Sequence, residues 1–204
     1  MQPDGLTVYI VEDDASVRDS LALMLGLGGY RTVFFADAEA FLAAWREDWA
    51  GCVVSDLKLP GASGVELQAE LQRRGSGLQF IIISAHGDVA AARAAFRADA
   101  VDFLEKPFDH GQLRAAIQTA LSKEEQRLRR SAESDRLALL TAREREVLQH
   151  AVKGLHAKEI ARELGISART VEVHKTRLMA KLGVRNVAEL VRFAIAGEPP
   201  DSTK

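Results

Sequence analysis

The sequence predicts two domains of different class, an α/β domain built on a parallel sheet followed by a small all-α domain. Three observations carry this. Over residues 1–121 five short apolar runs alternate with longer helical patterns, while beyond residue 140 helical patterning continues with no strand pattern. Between them lies a strongly charged stretch, SKEEQRLRRSAESDR. The charge balance also reverses: residues 1–121 carry 10 basic and 17 acidic side chains, and residues 141–204 carry 12 and 8. An acidic front and a basic back point to separate tasks, the back half being better suited to a polyanion.

The apolar runs are Thr7–Val11, Thr32–Phe35, Cys52–Ser55, Phe80–Ile83 and Val101–Leu104. Helical patterns fill the gaps at Ser16–Leu27, Ala38–Trp45, Gly64–Arg74 and Val89–Ala98, and a final helix begins near Asp109. Ser63 with Glu66 fits a capping box, and Asp88 is a candidate N-cap for the fourth helix. The runs CVV and FIII are continuously apolar, as strands covered on both faces should be. From Gln112 to about Arg136 the pattern stays helical, which reads as an extension of the fifth helix into a linker. That stretch is either a solvated charged helix or a short coiled coil, although its apolar positions are few. Thr141 with Glu144 forms a second capping box, opening four helices at about 142–153, 158–164, 168–181 and 187–196. The expected organisation is therefore 1–121, a linker at 122–139, a helical domain at 140–197 and a tail at 198–204.

Composition narrows the class. The chain has 204 residues, 47% of them hydrophobic, enough for two cores. No apolar run approaches the ~18–20 residues of a membrane span. The N-terminal MQPDG lacks the basic-then-apolar pattern of a secretory signal. Cys52 is the single cysteine, which leaves no internal disulfide and no cysteine-based zinc site. A cytoplasmic protein without membrane association is expected.

In an open parallel sheet, ligand chemistry gathers beyond the carboxyl ends of the strands. Here those ends carry Glu12-Asp13-Asp14, Asp56, Ser84 and Lys106-Pro107. Crowded carboxylates repel unless a cation sits among them or their pKa values rise. Hard oxygen donors on an open rim favour Mg²⁺. Asp56 could attack a phosphoryl group in line, and Lys106 offers a compact positive charge to the same oxygens.

The segments VYIVEDD, VVSDLKLPGASGVEL, IIISAHGD and AVDFLEKPF resemble the receiver domain of two-component response regulators over about residues 6–121. The resemblance implies a flavodoxin-like sheet of order 2-1-3-4-5 and Asp56 as phospho-acceptor. It implies Mg²⁺ held by Asp13, Asp56 and the Lys58 carbonyl, with Glu12 helping through water. Ser84 and Lys106 would bind phosphoryl oxygens, and Ser84 and Phe103 would form the switch pair. Without the family, Phe103 reads equally well as a half-buried strand aromatic. The resemblance also implies a cis bond at Lys106-Pro107. Two departures stand out: Ser84 where threonine is commoner, and Asp99 in place of a glycine after the fourth helix, a site where a positive φ is less comfortable for aspartate.

Residues 158–181 read KEIARELGISARTVEVHKTRLMAK, a helix, a Gly165-Ile166 turn, an N-cap Ser167 and a second helix, the pattern of a helix-turn-helix. At ~100° per residue, Val171, Leu178 and Leu182 share one stripe, which should face the core. Arg169, Glu172, Val173, Thr176 and Ala180 lie opposite, with Arg177 on the flank, and should enter the major groove. Lys158, Thr170, Lys175 and Lys181 lie nearer the margins, where phosphate contact is expected. The pattern alone also admits a helical protein-binding domain with a basic face. The segments LTAREREVLQHAVKG, KEIARELGIS, RTVEVHKTRLMAKLGV and AELVRFA resemble the LuxR-type helix-turn-helix over about residues 140–195. His174 matches a recurrent helix histidine there, as a buried-edge residue or a DNA contact.

Receiver plus LuxR-type output is similar to the NarL/FixJ class, with ISAHGDV and FLEKPF closest to FixJ-type regulators. This implies a sensor histidine kinase, double-stranded promoter DNA, a homodimer formed on phosphorylation through the helix 4–strand 5 face, and RNA polymerase as partners. It implies no enzyme beyond the receiver's own phosphoryl transfer and dephosphorylation. An aspartate-nucleophile phosphatase would want a second acid where Lys58 stands. An NTPase would want a glycine-rich loop ending Gly-Lys-Ser/Thr, and GLGG near residue 26 ends a helix instead. A receiver acting by protein contact alone would not need the helix-turn-helix.

Overall fold

The computed structural model describes residues 5–85 and 89–197. In the first unit, five parallel strands form one sheet in the order β2-β1-β3-β4-β5, as the resemblance implies. They are β1 (Thr7–Val11), β2 (Thr32–Phe35), β3 (Gly51–Asp56), β4 (Gln79–Ser84) and β5 (Asp102–Glu105). Helices α1 (Ala15–Leu27), α2 (Ala38–Ala44), α3 (Gly64–Arg73) and α4 (Val89–Arg97) make the crossovers, and α5 (His110–Ala138) follows β5. Every residue of β1 and β3 is buried, the consequence of helices on both faces of a sheet rich in Val and Ile.

Two cores result. On one face, Ile10, Val54, Ile81 and Ile83 pack with Leu21 and Leu25 of α1 and Leu113, Ile117 and Leu121 of α5. On the other, Val53, Phe80 and Ile82 pack with Phe41 of α2 and Leu67 and Leu71 of α3. Tyr9 stacks on Trp49 with centroids 4.4 Å apart, and Phe41 meets both rings edge-on.

The expected capping box on α3 forms. Ser63 accepts from the Glu66 N–H while Glu66 accepts from the Ser63 N–H. Asp14 caps α1, accepting from the N–H groups of Ser16 and Val17. Asp88 lies outside the described residues. Asp99 adopts φ 57°, so the aspartate takes the backbone geometry usually left to glycine. The Lys106-Pro107 bond is cis.

Packing of the first unit continues past residue 121. Glu124 is fully buried, and both its oxygens accept from Arg127 while Gln79 Nε2 bonds one of them. The compact unit accordingly runs to Arg127, and the second begins at Leu128.

The second unit packs four helices, α6 (Ala142–Val152), α7 (Ala157–Leu164), α8 (Ala168–Leu182) and α9 (Val187–Gly197), around Val147, Ile160, Val171, Leu178, Leu182 and Leu190. Thr141 and Glu144 form the expected capping box on α6. Among the described residues no helix is long and apolar enough to cross a membrane.

Candidate phospho-acceptor and nucleic-acid sites

The carboxyl ends of β1, β3 and β4 bring Glu12, Asp56 and Ser84 together with Lys106, which follows β5. Register fixes the set: Asp56 pairs with Ile83, so Ser84 stands one residue further along the neighbouring strand, opposite Glu105. The Lys106 N–H donates to the Ser84 carbonyl at 2.7 Å, which anchors the lysine's backbone to β4. Its Nζ lies 2.7 Å from Glu12 Oε2 and 2.5 Å from Asp56 Oδ2. The other Asp56 oxygen accepts from the Lys58 N–H at 2.8 Å.

Burial sets the electrostatics. Glu12 is 1% exposed and Asp56 7%. Burial pushes the Glu12 carboxyl above its ordinary range, and Lys106 only partly opposes the shift. For Lys106, burial disfavours the ammonium, but the bonds to Asp56 and Glu12 outweigh it and the pKa is raised. The lysine is therefore a fixed cation between two carboxylates.

Asp13, expected to converge with these, is exposed, and its carbonyl and that of Glu12 both accept from Arg18 Nη1. Among the described residues no three acidic, histidine or cysteine side chains gather as a ready metal cluster. Lys106 holds two of the carboxylates, Glu12 and Asp56, on one ammonium. The donor chemistry nevertheless suits a hard divalent cation: two buried carboxylates, an exposed one beside them in sequence and the Lys58 carbonyl. Ser84 is buried, and Phe103 is half-buried on β5.

Sequence reasoning missed the backbone beneath the site. A Cβ on Gly64 would stand 2.4 Å from the Asp56 carbonyl oxygen, so only glycine lets α3 start so close to the acceptor. It also missed Arg18, whose position one turn into α1 was its only signal.

The second site follows the expected helix-turn-helix. Gly165 takes φ 65° to end α7, and Ser167 caps α8 by accepting from the Thr170 N–H. Val171, Leu178 and Leu182 are fully buried. Arg169, Glu172, Val173, Thr176, Arg177 and Ala180 are exposed, as is Lys158 on α7. Thr170 and His174 are half-buried, and the Thr170 hydroxyl bonds that of Ser167. Lys175 pairs with Glu172. Lys181 is exposed, and its Nζ lies 2.7 Å from Glu144 Oε2 and donates to the Leu139 carbonyl at 3.2 Å.

A parallel sheet presenting an acid, a hydroxyl and a lysine at its carboxyl rim, joined in one chain to a helix-turn-helix, defines a transcriptional response regulator. Residues 8–118 match the response regulator receiver domain, and residues 138–194 match the bacterial regulatory proteins of the luxR family. The chain belongs to the FixJ/NarL-type response regulators, whose general behaviour is phosphorylation-dependent control of transcription. It is 42% identical over 203 residues to the transcriptional regulatory protein FixJ of Azorhizobium caulinodans, covering 97% of this chain and 96% of that one. To FixJ of Rhizobium meliloti it is 43% identical over 198 residues, covering 94% and 96%. Among solved structures, response regulator StyR matches with a TM-score of 0.74 at 38% identity, covering 94% of this chain and 98% of that one. Full-length FixJ from B. japonicum matches at 0.61 with 40% identity, covering 96% and 98%.

Proposed function

We propose that a sensor histidine kinase phosphorylates this regulator on Asp56, and that the phosphoryl group controls pairing of two copies on promoter DNA. The observation that carries the reading is Lys106, held between Asp56 and Glu12 at the strand ends. A carboxylate oxygen of Asp56 attacks the phosphorus of a phosphohistidine in line; the O–P bond forms, the P–N bond breaks, and the imidazole leaves with a proton. Lys106 and the Ser84 hydroxyl take the phosphoryl oxygens. Glu12, Asp13, Asp56 and the Lys58 carbonyl would hold Mg²⁺, which when bound offsets charge on the transferred group. No activity beyond this self-phosphorylation and its reversal is assigned.

Phosphorylation then shifts an existing equilibrium through Ser84 and Phe103, favouring a homodimer formed through the α4–β5 face. On DNA, Arg169, Glu172, Val173, Thr176 and Arg177 meet the major groove, and Lys158 and Thr170 its phosphate margins. RNA polymerase is the partner such a promoter-bound dimer would serve, in the cytoplasm. The test is mass and DNA binding of the wild type and Asp56→Asn, each with and without acetyl phosphate and Mg²⁺. The wild type should gain a phosphoryl group, dimerise and bind a selected duplex more tightly; the variant should do none of these. Equal labelling of both chains would remove Asp56 from the acceptor role, and a labelled wild type that stays monomeric with unchanged affinity would remove the dimer switch.

A further inference from the structure

Resting on α8 as the DNA-reading helix, we infer that Lys181 is a positioning residue for recognition: clamped between Glu144 and Leu139, its ammonium fixes the end of α8 to α6 and does not meet phosphate. The geometry is specific. On α8, Lys181 lies three residues past the fully buried Leu178 and one before the fully buried Leu182, so its stem leaves from the edge of the core stripe. Its head turns toward α6, 2.7 Å from Glu144 Oε2. That same oxygen accepts from the Thr141 N–H at 2.9 Å and the Thr141 hydroxyl at 3.0 Å. The Leu139 carbonyl, on the segment just before α6, takes a further bond from Lys181. One ammonium thus ties three pieces of chain: the last turn of α8, the first turn of α6 and the stretch that leads into it.

Burial decides between this role and a phosphate contact. The Glu144 side chain is 4% exposed. Withdrawing the ammonium, itself on a side chain 35% exposed, toward DNA would leave the buried carboxylate with the neutral Thr141 N–H and hydroxyl as its partners, a loss that one solvent-screened phosphate contact does not offset. The carboxyl pKa of Glu144, held down to about 2 first by Lys181, reports the same attachment. The tether acts where it matters for reading. The core stripe of Val171, Leu178 and Leu182 resists translation of α8 away from the domain, while a flank tie resists its rolling. Rolling is the motion that would swing Arg169, Thr176 and Ala180 off the base edges.

The test uses the full chain with acetyl phosphate and Mg²⁺, and two probes: a duplex selected by the wild type from a random pool, and the unselected pool. Lys181→Met should weaken binding to the selected duplex about tenfold, leave pool binding nearly unchanged and leave the salt slope as in the wild type. Glu144→Gln keeps a capping side chain but loses the ion pair, and should also weaken selected-duplex binding. A phosphate contact would behave otherwise: Lys181→Met would weaken both probes equally and lower the salt slope by about 1, and Glu144→Gln, by releasing the ammonium, would strengthen binding. That pattern overturns the inference. If the wild type enriches no sequence from the pool, the DNA-reading assignment fails instead.

Discussion

At the scale of single residues, Lys106 and Gly64 make opposite kinds of contribution to the acceptor site. Lys106 supplies charge between Glu12 and Asp56. Lys106→Met, of similar length and without charge, should still fold its sheet, because the anchoring N–H to Ser84 is backbone. It should slow phosphorylation from acetyl phosphate by at least about a hundredfold, since electrostatic stabilisation of the transferred group is lost; an unchanged rate would show that the lysine is only structural. Gly64 supplies space. In Gly64→Ala the new methyl would press on the Asp56 carbonyl oxygen, so Asp56 or α3 must move. We expect both a lower melting temperature and a slower acceptor, read by calorimetry and by labelling. On the DNA side, Thr176→Ala should change which bases a random-pool selection enriches, whereas Lys158→Ala should weaken all sequences alike. Equal, sequence-independent losses would reassign the groove face.

At the scale of elements, most strands and helices were legible because a single signal settled each. Unbroken apolar runs gave β3 and β4, and the pairs Ser63/Glu66 and Thr141/Glu144 marked the starts of α3 and α6 to the residue. The acidic site was legible as a set, since Asp56, Ser84 and Lys106 end successive strands. What stayed hidden depends on contacts distant in sequence. Glu124 and Arg127 sit in a charged run that looks solvated, yet Glu124 is buried because Gln79 and Arg127 both reach it. Nothing local announces that Lys181, a margin lysine by its spacing, lies against Glu144 on another helix. That no three acidic, histidine or cysteine side chains gather as a ready metal cluster among the described residues is a matter of side-chain placement, which strand ends do not specify. Glu124, buried, and its more exposed partner Arg127 make a prediction of their own. Arg127→Met leaves the buried Glu124 carboxylate with Gln79 as the remaining one of those two partners and should destabilise the receiver by about 1–3 kcal/mol, the Arg127 side chain being 42% exposed. Glu124→Leu combined with Arg127→Met should recover much of that loss in urea denaturation.

At the scale of the whole molecule, the two units have separate cores and so can respond separately to conditions. Acid acts on the second unit through Glu144. The facing charge is the Lys181 ammonium from α8, with the Thr141 N–H and hydroxyl from its own cap. These hold the carboxyl at about 2 against its ordinary 4.5. A pKa lowered by folding stabilises the folded state above the unfolded value, and that contribution is lost as pH falls through 4.5 toward 2. The helical unit of the wild type should therefore lose stability across that window, read as the part of the far-ultraviolet dichroism change that Glu144→Gln alters. Glu144→Gln should start less stable at neutral pH and show a shallower acid dependence. An identical acid profile in the variant would remove Glu144 from that role.

The stacked pair of Tyr9 and Trp49 bears on how such experiments can be read. Both tryptophans, Trp45 and Trp49, and both tyrosines, Tyr9 and Tyr30, fall in the first unit, and residues 128–204 contain neither type. The protein's native emission is thus a private gauge of the receiver. Backbone dichroism watches both halves, so where the two signals part company on heating, the difference is the melting of the dark, DNA-reading half alone, with no dye, tag or truncation required.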